Sequence, residues 1–168
     1  YEDLDGDGTQ EVASEINGTW NRVCVWTADG KPLWAANFGP GPRIPALTMR
    51  DLDVCDLDGD GKKEIVAATS YRMVVALDLQ CRKRWAVRLP AVVRVLDCVR
   101  SQGRKEARIV AGCDDKAVRL LDAHGKLVRK GSVSGRPVRI RPLIAGDGTR
   151  LVAIGTDAGA VAVFAPGP

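Results

Sequence analysis

Eight carboxylates of this chain fall into two runs of identical spacing. Asp3-Leu4-Asp5-Gly6-Asp7-Gly8-Thr9-Gln10-Glu11 recurs, 53 residues on, as Asp56-Leu57-Asp58-Gly59-Asp60-Gly61-Lys62-Lys63-Glu64. Each run has Asp at positions 1, 3 and 5 and Glu at position 9. Alternate aspartates of a tight loop converge on one point when glycines permit the turn. The carbonyl at position 7 and the glutamate complete an oxygen shell. Hard oxygen ligands of this number suit Ca²⁺. The first site would use Asp3, Asp5, Asp7, the Thr9 carbonyl and Glu11. The second would use Asp56, Asp58, Asp60, the Lys62 carbonyl and Glu64. Without a cation, four carboxylates within nine residues repel one another and open the loop. The bland alternative is an acidic surface turn without metal. An EF-hand needs Glu at position 12 and helical flanks; here Glu stands at 9 and the flanks read as β.

Two weaker echoes follow. Arg108-Ile109-Val110-Ala111-Gly112 lies 44 residues after Ile65, and Gly146-Asp147-Gly148-Thr149-Arg150-Leu151-Val152-Ala153 lies 42 beyond that. Their loops have lost the ligands. Val99-Arg100-Ser101-Gln102-Gly103-Arg104-Lys105 has three cations and no carboxylate, and the fourth loop keeps Asp147 alone. Two Ca²⁺ sites are therefore expected, not four. The basic third loop stands in for an ion with its own charges or is simply solvated.

A period of about 40–50 residues points to a solenoid or a propeller. Each unit has the same grammar. An apolar run follows the loop (64–69, 108–112, 151–156). A second follows (22–27, 73–78, 117–122, 160–164), then a turn such as Ala28-Asp29-Gly30-Lys31. A third segment carries Leu33-Trp34, Arg84-Trp85 or Leu127-Val128, and a fourth (46–53, 92–98, 138–144) leads to the next loop. The runs are short, rich in Val, Ile and Leu, and bounded by Gly, Asp and Pro. No stretch of 11 or more residues shows helical spacing. The chain is therefore expected to be all β, a propeller segment of about four four-stranded blades at 1–42, 43–90, 91–134 and 135–168. The strand before Asp3 and the segment after Phe164 are missing from the grammar, so the terminal blades are expected to be incomplete. That predicts either a larger ring or closure by self-association.

Net charge divides unevenly. Residues 1–80 hold 7 Lys/Arg against 14 Asp/Glu, and residues 81–168 hold 18 against 7, so a formal +4 sums −7 and +11. The acidic half is mostly the two loops. The basic half is a solvated face or a surface for an anionic ligand. The five cysteines form no C-x-x-C pair; a disulfide framework is possible, but their apolar settings favour buried free thiols. The single histidine, His124, sits in a turn sequence, and no Ser-His-Asp or Cys-His grouping is apparent. No apolar run nears the ~20 residues of a membrane-spanning helix, and no charged-then-apolar leader opens the chain.

The Asp-x-Asp-Gly-Asp-Gly-x-x-Glu pattern followed by an apolar strand resembles the FG-GAP or VCBS repeats of integrin-α-like propellers. The likeness is strong over 1–80 and rests on period and strand grammar over 81–168. It implies Ca²⁺ in the ten loop positions named above, a non-enzymatic role in adhesion, ligand binding or scaffolding, and a location outside the cytoplasm, extracellular or periplasmic. Two enzyme-linked likenesses stand beside it. Ala76-Leu77-Asp78 through Trp85, and Trp26 through Trp34, are similar to the tryptophan motifs of quinoprotein propellers, although Cys81-Arg82 replaces their Thr-Gly. Residues 30–34 through 56–61 look like the calcium-rich propeller of rhamnogalacturonan lyases, which would bring a calcium-dependent polysaccharide lyase activity and polyuronate binding.

Trp34 and Trp85 occupy one position of successive blades and are expected to pack between them. Trp20, in Asn17-Gly18-Thr19-Trp20-Asn21, has no such repeat and could stack on a sugar; Asn17-Gly18-Thr19 is also a glycosylation sequon. The expected partner is a protein or carbohydrate, the latter anionic, or further propeller blades. The basic half matches no nucleic-acid motif, so nucleic acid is not expected.

Overall fold

The computed structural model describes residues 2–17, 21–38, 48–100 and 103–167. Among them there is no helix, and fourteen strands form four antiparallel sheets. The first holds β1 (Glu11–Ile16), β2 (Arg22–Thr27) and β3 (Pro32–Asn37). The second holds β4 (Met49–Cys55), β5 (Glu64–Thr69), β6 (Met73–Leu77) and β7 (Lys83–Arg88). The third holds β8 (Val93–Arg100), β9 (Ala107–Cys113), β10 (Ala117–Leu121) and β11 (Leu127–Ser132). The fourth holds β12 (Pro137–Ile144), β13 (Arg150–Thr156) and β14 (Val161–Phe164). Every sheet is a meander in chain order. These are propeller blades, two of four strands flanked by two of three. Trp20, Gly18 and Thr19 lie outside the described residues, as does the start of the 46–53 segment.

One turn recurs in three blades. Its closing amide donates three residues back, Gly30 to Thr27 at 3.0 Å, Cys81 to Asp78 at 2.9 Å and Gly125 to Asp122 at 3.0 Å. The position demands a left-handed backbone, so Cys81 adopts φ +59° where its counterparts are glycine. Gly125 has a second reason. A Cβ there would lie 2.9 Å from the Trp85 ring, whose Nε1 donates to the Ala123 carbonyl at 2.9 Å. The outer strand of one blade is thereby latched to the turn of the next.

The core lies between blades, not inside one. Strand β5 is buried at all six positions because both its faces are covered. Ile65 and Ala67 pack toward the first blade with Val23, Val25 and Leu77. Val66 and Ala68 pack toward the third with Leu96, Ile109 and Ala111. Val110, Leu120, Ile140 and Ile154 join the third blade to the fourth. Outer strand β11 is exposed throughout, which fits its Arg129 and Lys130. Strands β4, β8 and β12 pack in succession as the inner wall.

The cysteines divide. Cys24, Cys81 and Cys113 are buried free thiols, whereas Cys55 and Cys98 are only half-buried. His124 is exposed in its turn, its amide donating to Asp122 Oδ1 at 3.0 Å. Asn17 is not a free surface amide. It brackets Met49 of the second blade, accepting from its N at 2.7 Å and donating to its O at 3.1 Å.

Candidate functional site

The two acidic loops fold alike because each aspartate first caps its own backbone. Asp3 Oδ1 accepts from Gly6 N at 2.7 Å, and Asp56 Oδ1 from Gly59 N at 2.8 Å. Asp5 and Asp58 accept from the amides of Asp7 and Asp60 at 3.2 and 3.3 Å. The glutamates are buried at the bases of the loops, Glu11 taking the Leu4 amide at 2.9 Å and Glu64 the Leu57 amide at 3.0 Å. Such Asx turns need left-handed residues behind them, which Gly6 (φ +82°) and Gly59 (φ +79°) supply. The result is a triad in each loop: Asp3, Asp5 and Glu11, then Asp56, Asp58 and Glu64, each offering oxygens within 4.8 Å of one another.

The fifth-position aspartates stand apart from these triads. Asp7 Oδ1 is held by the Thr9 amide and hydroxyl at 2.7 and 2.6 Å, bonds that push its carboxyl below the usual range. Asp60 Oδ1 takes the Lys62 amide at 2.8 Å. The donor chemistry of both triads fits a hard divalent cation.

The loops differ in what neighbours them. Arg84 reaches the second triad from β7, its Nη2 2.6 Å from Asp58 and its Nη1 2.5 Å from Glu64. The guanidinium holds Asp58 below the ordinary carboxylate range, while burial pushes Glu64 up against the pull of that same arginine. Arg100 adds a longer contact to Asp56 at 3.3 Å. At the first loop the strand position of Arg84 is Leu33, beside Trp34 as Arg84 is beside Trp85. Among the described residues, Lys63 is the cation that approaches there. It pairs with Glu2 and donates to the Asp3 backbone carbonyl at 3.0 Å, leaving the triad untouched.

The third loop inverts the charge. Ladder pairing sets Arg108 opposite Val99 as Glu64 is set opposite Cys55, so a buried arginine stands where the second loop has its buried glutamate. Its Nη1 donates to the Pro166 carbonyl at 2.6 Å. Arg100, at the first ligand position, turns away to Asp56. The fourth loop closes as a tight turn, with Ala145 N to Thr149 O and Gly148 N to Ala145 O both at 2.9 Å.

A family model for the lambda-carrageenase β-propeller domain matches residues 12–134. The chain belongs to that family. No curated protein sequence matches it. Among solved structures it is similar to BBS1N in complex with ARL6DN, at 14% identity over 98% of this chain and 52% of that one, TM-score 0.74. BamB from Moraxella catarrhalis gives 19% identity, 98% and 44% coverage and TM-score 0.64. Sqt1 from Saccharomyces cerevisiae gives 17%, 92% and 41%, with TM-score 0.69. At these identities the likeness is one of fold. The chain spans about half the length of the solved structures it matches.

Sequence reasoning missed a second cluster of this carrageenase-type propeller, on its inner wall. An inner strand leaves alternate amides unpaired at the sheet edge. Asp51 and Asp53 of β4 satisfy those of the next blade, accepting from Leu96 N at 2.9 Å and Cys98 N at 2.7 Å. Each bond spans 45 residues. The same step from Asp97 lands on Pro142, which has no N–H. Asp97 therefore lacks the amide that its counterpart Asp53 enjoys. Its Oδ2 faces Arg141 at 3.7 Å. Burial first, then the charge of Asp53, push its carboxyl up to about 7, against the pull of Arg141. Desolvation likewise raises Asp51. Asp51, Asp53, Asp97, Arg139 and Arg141 line one cavity of about 280 Å³. The available signal was periodicity: Asp53, Asp97 and Arg141 recur at intervals of 44 residues.

Proposed function

We propose that this chain is a calcium-binding propeller module whose loop face and inner wall take an anionic polysaccharide. The carrying observation is the duplicated carboxylate triad at one end of adjacent blades. Asp3, Asp5, Asp7, Glu11 and the Thr9 carbonyl would hold one ion; Asp56, Asp58, Asp60, Glu64 and the Lys62 carbonyl would hold the other. Calcium offsets the loops' negative charge and stiffens the blade edges, a role in keeping with FG-GAP-type repeats and with a location outside the cytoplasm. The ligand class rests on the family's lambda-carrageenase name, carrageenans being sulfated, and on the basic second half with Arg139 and Arg141 on the inner wall. The module binds rather than cleaves. Thermal melts in calcium and in excess chelator test the metal: a higher midpoint in calcium is expected, and coincident melts overturn it. Titration with lambda-carrageenan and its desulfated form tests the ligand. Equal binding of both, or of neither, rejects an anion-reading surface.

A second reading, that the module contributes to cleavage, is favoured by Asp97, a carboxyl poised to hold a proton near neutral pH beside the Asp53 carboxylate. Release of reducing ends from lambda-carrageenan that is lost in Asp97→Asn would support it; no release by the unaltered chain rejects it. A protein partner is the remaining alternative; BBS1N, of the same fold, is seen in complex with ARL6DN.

A further inference from the structure

Two half-buried thiols face each other across the interface of the second and third blades. Cys55 ends β4, and Cys98 lies near the end of β8. Both pack on the apolar cluster between these blades, against Leu57, Leu96, Ala107 and Ile109. The Cys98 amide is fixed 2.7 Å from Asp53 Oδ2, which anchors its backbone beside the strand that carries Cys55. The Cys55 thiol, together with burial, pushes the Cys98 thiol up, as expected of neighbours in one apolar cluster. Both also line one open cavity of about 560 Å³, so a small reagent reaches them from solvent.

We propose that Cys55 and Cys98 are a modification site, closing to an inter-blade disulfide when the protein meets a small-molecule disulfide oxidant. The thiolate of one cysteine attacks the oxidant RSSR, forming a mixed disulfide and releasing one RSH. The second cysteine then displaces the other RSH as the Cys55–Cys98 bond forms. Two protein thiols are oxidised, one external disulfide is reduced to two thiols, and both protein protons leave on the products. The sulfurs must close to about 2 Å, a side-chain motion at the ends of two strands. The bond ties residues 43 apart in sequence and pins the inner wall beside the second acidic loop, since Asp56 and Arg100 flank the pair.

The other thiols lack this arrangement. Cys24 lies near enough to add to the burial that pushes the Cys81 thiol up to about 11, but on β2 it alternates with Val23 and Val25, which face the cluster that holds Cys81, so the two thiols do not share a face. Cys113 is fully buried, its thiol directed to the Ala111 carbonyl at 3.7 Å.

The test incubates the whole chain with excess oxidised glutathione, unfolds it in denaturant at acid pH, blocks the remaining thiols with an alkylating reagent, and maps peptides by mass spectrometry. The expected product is a monomer about 2 Da lighter, with one cross-linked peptide pair carrying Cys55 and Cys98 and three alkylated cysteines. Its melting midpoint should rise by about 10 °C and return on addition of dithiothreitol. Cys98→Ser and, separately, Cys55→Ala should abolish the mass loss. Five alkylated cysteines, a Cys24–Cys81 product, a persistent glutathione adduct or a disulfide-linked dimer would each overturn the proposal.

Discussion

The first and second acidic loops have the same sequence pattern and share four internal hydrogen bonds from backbone amides to carboxylates, yet they sit in different electrostatic surroundings. The triad of Asp3, Asp5 and Glu11 has a leucine, Leu33, at the strand position from which an arginine reaches the other triad. The triad of Asp56, Asp58 and Glu64 receives Arg84 on two of its three carboxylates and Arg100 on the third. The second loop is also buttressed. The Ala107 amide donates to the Leu57 carbonyl at 2.9 Å, and Lys105 packs directly on Gly59. A local motif specifies a carboxylate cage, while the outer strand of the same blade and the inner strand of the next decide whether a built-in cation competes for it. The third loop completes the series, replacing the buried glutamate itself with Arg108.

Four experiments break or sharpen that comparison. The largest effect is expected from Gly59→Ala. Its new Cβ would meet Lys105 Cβ at 2.8 Å and its backbone carbonyl carbon at 2.9 Å, on top of an unfavourable φ, whereas at Gly6 nothing lies within 4 Å. Urea unfolding should show a loss of about 3 kcal/mol for Gly59→Ala and about 1 kcal/mol for Gly6→Ala. Equal losses would deny the buttress.

Calcium comes next. At a free concentration a hundred times Kd, one site stabilises the fold by about 2.7 kcal/mol. Asp5→Asn should remove most of the calcium-dependent shift in melting midpoint, and Asp58→Asn much less. The reverse order would place the stronger site in the second loop.

A pH series needs the inner wall as its control, because Asp97 also titrates. Its folded pKa, about 7, is raised above the unfolded value of 3.8. The folded state therefore holds a proton that the unfolded state releases. The stabilisation is complete below about pH 4, declines as pH rises through 7, and is lost above that. Between pH 5 and 8, unfolding free energy should fall by about 2 kcal/mol, and Asp97→Asn should flatten the slope. Pro142→Ala restores an amide opposite Asp97 and should lower its pKa, read by carboxyl NMR. Unchanged titration would reject the missing-donor explanation.

The smallest effect is the exchange of neighbours. Arg84→Leu places at the second loop the residue the first loop has at that strand position and should tighten its calcium affinity about tenfold, or 1.4 kcal/mol, in calorimetric titration. Leu33→Arg should weaken the first site by a similar factor. No change in either would mean that Arg84 leaves the loop whenever calcium arrives.

The sequence by itself determined the blade grammar and the two loops. Alternating apolar runs recurring every 42–53 residues leave little choice but meandering sheets, and all of a loop's ligands fall within nine residues, so local spacing brings them together. The structure gathers Asp3, Asp5, Glu11 and their counterparts as that spacing implies, but local backbone bonds keep Asp7 and Asp60 outside the triads. Only the tertiary structure decided the rest. Arg84 lies 26 residues from the aspartate it pairs with, and Asp53, Asp97 and Arg141 meet because successive inner strands stack in register. Cys55 and Cys98 likewise share an interface that no single blade contains. Contacts between blades depend on which face each strand turns to its neighbour, and that is fixed when the sheets pack rather than by any local pattern.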